Sequence, residues 1–324
     1  MKNDKKMFIL VEAILAMLVA ILAFMMIQEK NGKNLDRVSV IIQNSDDSQW
    51  SAFKYGLKMA AQDQGIEIFV VSTGEVLTVA EEKSAIESEI DNGADAVIVQ
   101  PVLENDTEKM LKKIAKKVPV MLVEHTASKG KKGAKLPIVE PDHYAMGKAL
   151  AQELLEDYNG NMEGKTLGIL SESEELESIR NRRKGLIDGL KDTGVSIRWS
   201  VNKTSEKEKK ASLKTQPKVD VVVALDNHSF ITAGRCSVTG NLNGALLYGI
   251  GNSTEAVYYL DTKVAECLLV PDEFNVGYQS LTEVAKNLKN YFYNMQNKIV
   301  SYTVIRKETL FSKENQEILF TLSQ

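Results

Sequence analysis

The side chains best suited to chemistry in this sequence stand at the ends of short apolar runs. Asp47 and Trp50 follow residues 38–42, Glu124 follows 118–123, and Asp226 and Asn227 follow 219–225. Carboxylates and amides exchange hydrogen bonds with hydroxyls, and an indole offers a flat apolar face. Gathered in one cleft, such residues suit a polyol: polar atoms meet its hydroxyls and the ring meets a C–H face. Each also has a purely structural reading. Trp50 fits the core face of a helix, and Asp or Asn after a strand fills a helix N-cap.

Catalytic groupings are missing. The sequence has no Gly-x-Ser-x-Gly elbow, P-loop or Rossmann glycine signature. Its three histidines, His125, His143 and His228, are scattered, and Cys236 and Cys267 form no Cys-x-x-Cys pair. Neither a metal nor a cofactor is expected, and the chain reads as a binder, not an enzyme. The two cysteines read as small buried apolar side chains, with a disulfide left open. A net charge of −4 offers no basic face for nucleic acid.

The elements that hold these residues follow from hydrophobic pattern. The 324 residues exceed one small domain, and a composition 44% apolar and 26% charged is that of a globular chain. From residue 37 onward, apolar strands alternate with amphipathic helices of about 10–15 residues, the pattern of βαβ units on parallel sheets. Strands are expected at 38–42, 66–71, 96–100 and 118–123, with helices at 49–64, 79–92 and 105–116 between them. Gly65 stands where a C-cap glycine should. Residues 126–135, rich in Gly, Lys and Ser, read as a solvated loop. A second series follows, with strands at 166–170, 195–201, 219–225, 245–250 and 264–270. The fold class is therefore α/β, with two doubly wound parallel-sheet lobes.

Ahead of this lies an apolar run, residues 7–27, preceded by Lys2, Lys5 and Lys6 and interrupted only by Glu12. About 20 apolar residues cross a bilayer core, and basic residues favour the inside. No Ala-x-Ala precedes Gln28 and no cysteine lies near the end of the run. An uncleaved transmembrane helix is expected over a cleaved signal peptide, with residues 28–36 as a short tether. The localisation that follows is a single-pass membrane protein with extracytoplasmic lobes.

In order and spacing, several segments resemble the type 1 periplasmic binding proteins for ribose, galactose and similar sugars. The resemblance runs from Arg37 to about Lys307. Residues 38–50 look like that family's first strand and ligand loop, and Lys54-Tyr55-Gly56 its first helix. Residues 92–101 are similar to its "GxDAIIIxP" strand and 118–124 to its "IPVVxxD" strand. Arg182-Arg183-Lys184-Gly185-Leu186 looks like "RxxGF", and Asp261-Thr262-Lys263-Val264 like "dGki".

The resemblance implies three crossings between lobes, near 139–141, 271–274 and 298–301. These form a three-stranded hinge. The implied domains are residues 1–36 (anchor and tether), 37–140 with 272–300 (first lobe), and 141–271 with 301–324 (second lobe). Helix 276–295 should then return to the first lobe and strand 302–306 to the second.

It also implies site residues. Gln49 and Trp50 align with the family's stacking aromatics, Glu124 and His125 with its Asp-Arg, and Asp142 with a polar hinge residue. Arg182 matches its bidentate sugar-binding arginine, and Asp226-Asn227 its Asn-Asp. Arg182 also has a bland reading as a surface helix arginine, and His125 as part of a solvated loop. Two positions depart: Gly251 replaces a sugar-binding aspartate, and Val270 a polar residue. Asn252 or Ser253 would stand in for the first, or cap the next helix. The implied function is capture of a small polar ligand, a sugar, for an ABC permease. The alternative is a membrane-tethered sensor that reports to a histidine kinase. A repressor of the same fold would need a helix-turn-helix where this chain carries its apolar run.

Overall fold

β-Branched runs and capped amphipathic helices alternate through a computed structural model of the chain, which describes Met17 and residues 35–74, 77–103, 106–124 and 136–324. His125, the basic segment 126–135 and the expected membrane helix lie outside the described residues, apart from Met17, which is helical. Among the described residues no helix is long and apolar enough to cross a membrane. Backbone contacts separate Met1–Asp36 from Arg37–Gln324.

The larger unit begins with β1 (Arg37–Ile41), a 3-10 turn at Ser48–Trp50, α1 (Ser51–Gln64), β2 (Glu67–Val70), α2 (Val79–Asp91) and β3 (Ala96–Val99). Next come α3 (Thr107–Ile114), β4 (Val120–Val123), β5 (Ile138–Pro141), α4 (His143–Asp157), β6 (Thr166–Ser171) and α5 (Glu177–Gly189). β7 (Ser196–Asn202), α6 (Glu206–Leu213), β8 (Val221–Ala224), α7 (Asn227–Val238), β9 (Leu246–Ile250) and α8 (Thr254–Asp261) follow. The chain ends with β10 (Cys267–Pro271), α9 (Glu273–Lys289), β11 (Lys298–Val300), β12 (Tyr302–Arg306) and α10 (Lys313–Leu322).

Local chemistry sets many of these boundaries. Gly65 ends α1 at φ 65°, a left-handed conformation that costs glycine little. Thr78 and Glu81 form a reciprocal capping box at the start of α2. The helix expected at 276–295 instead spans Glu273–Lys289, because Asn290 turns extended and its side chain accepts from the Phe292 amide. The C-terminal helix α10 was not expected at all.

The strands form two six-stranded sheets of matching design, ordered β11-β5-β4-β3-β1-β2 and β12-β10-β9-β8-β6-β7. Every pairing is parallel except β10 with β12, where Pro271 faces Tyr302. The chain leaves the first sheet after β5, returns after β10 and leaves again after β11. In both sheets the order reverses beside the first strand, between β1 and β3 and between β6 and β8. Ligand crevices of doubly wound folds open at such a point, beyond the carboxyl ends of the strands.

The core is layered on both faces of both sheets. Phe53, Leu57, Val276, Leu281 and Val284 pack with Val40, Ile98 and Val139 on the first sheet. Met146, Leu150, Ile179 and Leu186 pack with Ile169, Val223 and Ile250 on the second. Cys236 and Cys267 are buried free thiols in separate core clusters, so no disulfide joins them. α10 buries Leu322 with the second sheet's core, yet its Phe320 ring stands edge-on to Tyr55 of α1, with centroids 5.8 Å apart.

Two helix pairs meet through glycine. A Cβ on Gly56 would fall 2.0 Å from the Phe274 carbonyl oxygen, and one on Gly277 would fall 2.2 Å from that of Phe53. In the other half, a Cβ on Gly147 would lie 1.9 Å from the Arg182 oxygen, and one on Gly185 2.1 Å from that of Tyr144. These pairs, α1 with α9 and α4 with α5, approach backbone to backbone. Gly185→Ala must therefore push α5 off α4, and overpacking of this kind costs about 1–3 kcal/mol. Chemical denaturation should show a lowered midpoint for Gly185→Ala and a smaller change for Gly74→Ala, where a Cβ meets nothing within 4 Å and the backbone is not left-handed.

Candidate functional site

The carboxyl ends of the two sheets face each other across a narrow cleft of about 100 Å³. Ligand pockets usually hold ~300–1,000 Å³, so the cleft is closed in this conformation. Gln49, Trp50, Glu124, Arg182, Asp226, Asn227 and Asn252, all expected from sequence, line it. Gln100, Glu172 and Glu273 line it too and were not expected.

Trp50 is a core residue that also lines the cleft. It is 4% exposed, packs edge-on against Phe53 at 5.5 Å between centroids, and donates its indole N–H to the Gln43 carbonyl at 3.0 Å. The amide of Gln100 at the end of β3 accepts from the Gln43 N–H at 2.9 Å, bracing the same loop.

Arg182 is buried, not a surface helix arginine. Its Nη1 donates to the Leu225 carbonyl at 2.9 Å and its Nε to His143 Nδ1 at 3.2 Å. His143 must then carry its proton on Nε2, which donates to the Glu124 carbonyl at 3.0 Å. Burial and the neighbouring Arg182 charge hold the His143 pKa near 4, so the ring is neutral. The relay ties α5, α4 and the end of β4 together. Glu124 itself adopts φ 71°, an uncommon conformation for a residue with a side chain.

Asp142 stands outside this group. It is exposed and caps α4, accepting from the Ala145 amide at 2.9 Å. Asp226 is in the cleft wall, but its carboxylate is occupied within the protein. It accepts from the Ser229 N–H and Oγ and from the Glu172 N–H, each at 2.8 Å. Burial, and then the charge of Glu172, push its pKa up. At Asn252 and Ser253 the two readings divide: Ser253 caps α8, while Asn252 lines the cleft.

Charged groups cross the cleft. His228 of α7 lies 2.7 Å from Glu172 through Nδ1 and 3.0 Å from Asp47 through Nε2. Asp47 follows β1 of the first sheet, whereas Glu172 and His228 follow β6 and β8 of the second. The bonds to Asp47 and Glu172 raise the His228 pKa to about 10, so the ring is an imidazolium that clamps the two sides. Burial, the largest single influence, acts to raise both carboxylates, but the bond to His228 together with the other hydrogen bonds and positive charges around them holds each below its ordinary range. Lys209 of α6, fully buried, supports the cluster from behind, 3.8 Å from Glu172 and 3.9 Å from Asp226. A second link across the cleft runs from Asn252 Nδ2 to the Gln49 carbonyl at 3.3 Å.

Several buried polar atoms in the cleft have no hydrogen-bond partner: Glu124 Oε1, Asn227 Nδ2, Asn252 Oδ1 and Glu273 Oε2. Such atoms are rare in folded proteins and costly unless something meets them. Among the described residues, no group of three or more His, Cys, Asp or Glu is placed to hold a metal ion.

Neither Glu172 nor His228 was expected from sequence, although the strand-end rule could have found both: Glu172 directly follows β6, and His228 lies two residues beyond Asp226. Nothing local marked Glu273, whose place at the head of α9 resembles an ordinary acidic first turn.

Proteins of known structure share this architecture. A carbohydrate transporter solute-binding protein from Agrobacterium radiobacter, in complex with D-arabinose, is 16% identical. It aligns over 89% of this chain and 99% of its own, with a TM-score of 0.77. A glucose-galactose binding protein from Geobacillus stearothermophilus is 17% identical over 86% of this chain and 100% of its own, with a TM-score of 0.73. A Caulobacter myo-inositol binding protein, bound to myo-inositol, is 16% identical over 88% and 97%, with a TM-score of 0.74. No curated protein sequence matches the chain. The sequence model of the periplasmic binding protein domain matches residues 38–291, most of the chain, and the protein belongs to that family.

Proposed function

We propose that the chain captures a sugar or related polyol between two lobes, 37–140 with 272–300 and 141–271 with 301–324, and delivers it to an ABC importer. The observation that carries this reading is the convergence of unpartnered buried donors and acceptors on one cleft between the sheets. Hydroxyl groups, each donor and acceptor, are the natural complement of such atoms. Similar structures are described as holding D-arabinose, tagatopyranose and myo-inositol, all polyols. The apolar run 7–27 supports a membrane tether that keeps the lobes outside the cytoplasm.

The deciding experiment is a thermal-shift screen of the purified protein against pentoses, hexoses and cyclitols. Selective binding to the native state should raise the melting temperature. Stabilisation by no polyol, alongside stabilisation by amino acids or peptides, would reject the sugar reading. The tether is tested by washing membranes in carbonate and taking the intact mass. The mature chain should stay with the membrane and retain residues 1–27.

Arg182 is expected to bind ligand and to hold the cleft wall together. Replacing it by Ala should weaken polyol binding about ten- to hundredfold, as when a charged hydrogen-bond partner is lost in a dry site. Calorimetric titration measures this. Asp226→Ala should act differently from a pure ligand contact: it removes a helix cap worth about 0.5–2 kcal/mol, so the melting temperature should fall even without ligand.

The His228 clamp gives closure a pH dependence. Its pKa in the closed state, about 10, lies above the ordinary 6.5. Its contribution is therefore complete below about 6.5 and is lost as pH rises through about 10. The lowered pKa values of Asp47 and Glu172 act in the opposite sense, so their contribution is lost only on acidification. Affinity for a neutral polyol should hold through neutral pH and fall towards pH ~10.5, the alkaline end of that window. In His228→Gln this alkaline fall should disappear.

A further inference from the structure

The two unpartnered carboxyl oxygens in the cleft belong to neighbouring side chains. Glu124 ends β4, Glu273 opens α9, and the two carboxyls lie against each other. Glu273 is 2% exposed, and no described donor reaches its Oε2 or Glu124 Oε1. Two buried carboxyls in contact need a proton or a cation between them.

None of the protein's own cations donates a hydrogen bond to these two oxygens, although the Arg182 charge acts on Glu273. Arg182 directs Nε to His143 and Nη1 to the Leu225 carbonyl. His228 lies between Asp47 and Glu172, and Lys209 lies beside Glu172 and Asp226. The cleft and its supporting layer thus hold five carboxyls (Asp47, Glu124, Glu172, Asp226, Glu273) against four cations (Arg182, Lys209, His228, and Lys54, which acts on Asp47). What sets the Glu124–Glu273 pair apart is that each carboxyl keeps a buried oxygen that no donor meets.

We propose that Glu124 and Glu273 form a seat for an ammonium group, and that the ligand of this cleft is an amine-bearing sugar or cyclitol. The inference rests on the reading of the cleft as a polyol site and narrows it to a basic polyol. An ammonium brings three N–H donors, enough to satisfy both orphan oxygens, whereas a hydroxyl brings one. Asn227 Nδ2 and Asn252 Oδ1 remain for neighbouring hydroxyls.

Without an ammonium, Glu273 is the member of the pair disposed to keep a proton. Burial, then Glu124, and more weakly Asp272 push the Glu273 pKa well above its usual range, while Arg182 opposes them. The ammonium replaces that proton, which passes to the buffer. A divalent ion is a poorer fit, because calcium takes 6–8 oxygen ligands and magnesium six.

Isothermal titration of the full-length protein in detergent, at neutral pH, tests this. The probes are D-glucosamine, D-galactosamine, D-mannosamine and an inosamine, each beside its neutral parent, with putrescine as a sugar-free amine. An amino sugar or inosamine should bind about ten- to hundredfold more tightly than its parent. Buffers of different ionisation enthalpy should report release of roughly one proton per ligand bound. Glu273→Gln should remove both the preference and the proton release. Glu124→Gln should do the same and serves if the first variant fails to fold.

Neutral parents binding as tightly as the amines would overturn the ammonium seat and leave sugar capture standing. Putrescine binding without any sugar would keep the seat and overturn both the basic polyol and the sugar reading. No binding by any probe would overturn both proposals.

Discussion

The carbonyl oxygens of Phe274 and Arg182 rest where the Cβ atoms of Gly56 and Gly147 would be. That contact sets the depth at which α9 sits on α1 and α5 on α4. The cleft inherits its dimensions from it. Glu273 is the first residue of α9 and Arg182 lies within α5, so both side chains reach the cleft from helices whose distance to their neighbours is fixed by backbone contact. A methyl group at either glycine would move a charged side chain as well as a helix. The same device appears once in each half, matching the shared strand order of the two sheets.

On that frame sits an electrostatic arrangement that favours closure from two directions. Removing Glu172, Asp226 and Lys209 from water is costly, and mutual attraction repays it only when the geometry is good. Here Asp226 receives three hydrogen bonds and Glu172 receives His228. The imidazolium is strongly held only while Asp47 is opposite it, so separating the two sheets would leave half its partners behind. His143 behaves differently. It is buried between Arg182 and a carbonyl, stays neutral, and acts as a hydrogen-bond relay without charge.

Much of the fold was legible in the sequence because its signals are local. Gly65 ends α1 where a left-handed residue is needed, and buried strands such as β8 (Val-Val-Val-Ala) show as β-branched runs between polar segments. Strand ends placed Glu124, Asp226 and Asn227 on the cleft, where they do stand. What escaped depends on long-range partners. Lys209 lies in a stretch of alternating Glu and Lys that reads as a solvated surface, yet it is fully buried against Glu172 and Asp226. Asp142 occupies a plausible crossing position, but its own helix claims it as a cap, and the adjacent His143 turns inward instead. Asp226 reads as a ligand contact until its oxygens are traced to Ser229 and Glu172. Helix α10 begins with polar residues beyond the last strand, and its pairing with α1 is visible only in three dimensions.

The position of α10 has a mechanical consequence. Phe320 shares the second sheet's side of the molecule through the neighbouring Leu322, but its ring abuts Tyr55 on the first sheet's leading helix. Any rotation of one sheet against the other about the crossings must change that ring-to-ring distance. Beside the pair lies a second cavity, of about 480 Å³, which borders the crossing at Pro271 and Asp272. Helix α10, the ten residues Lys313–Leu322, is therefore a strut between the two sides of the molecule, placed beside the crossing with a cavity at its flank.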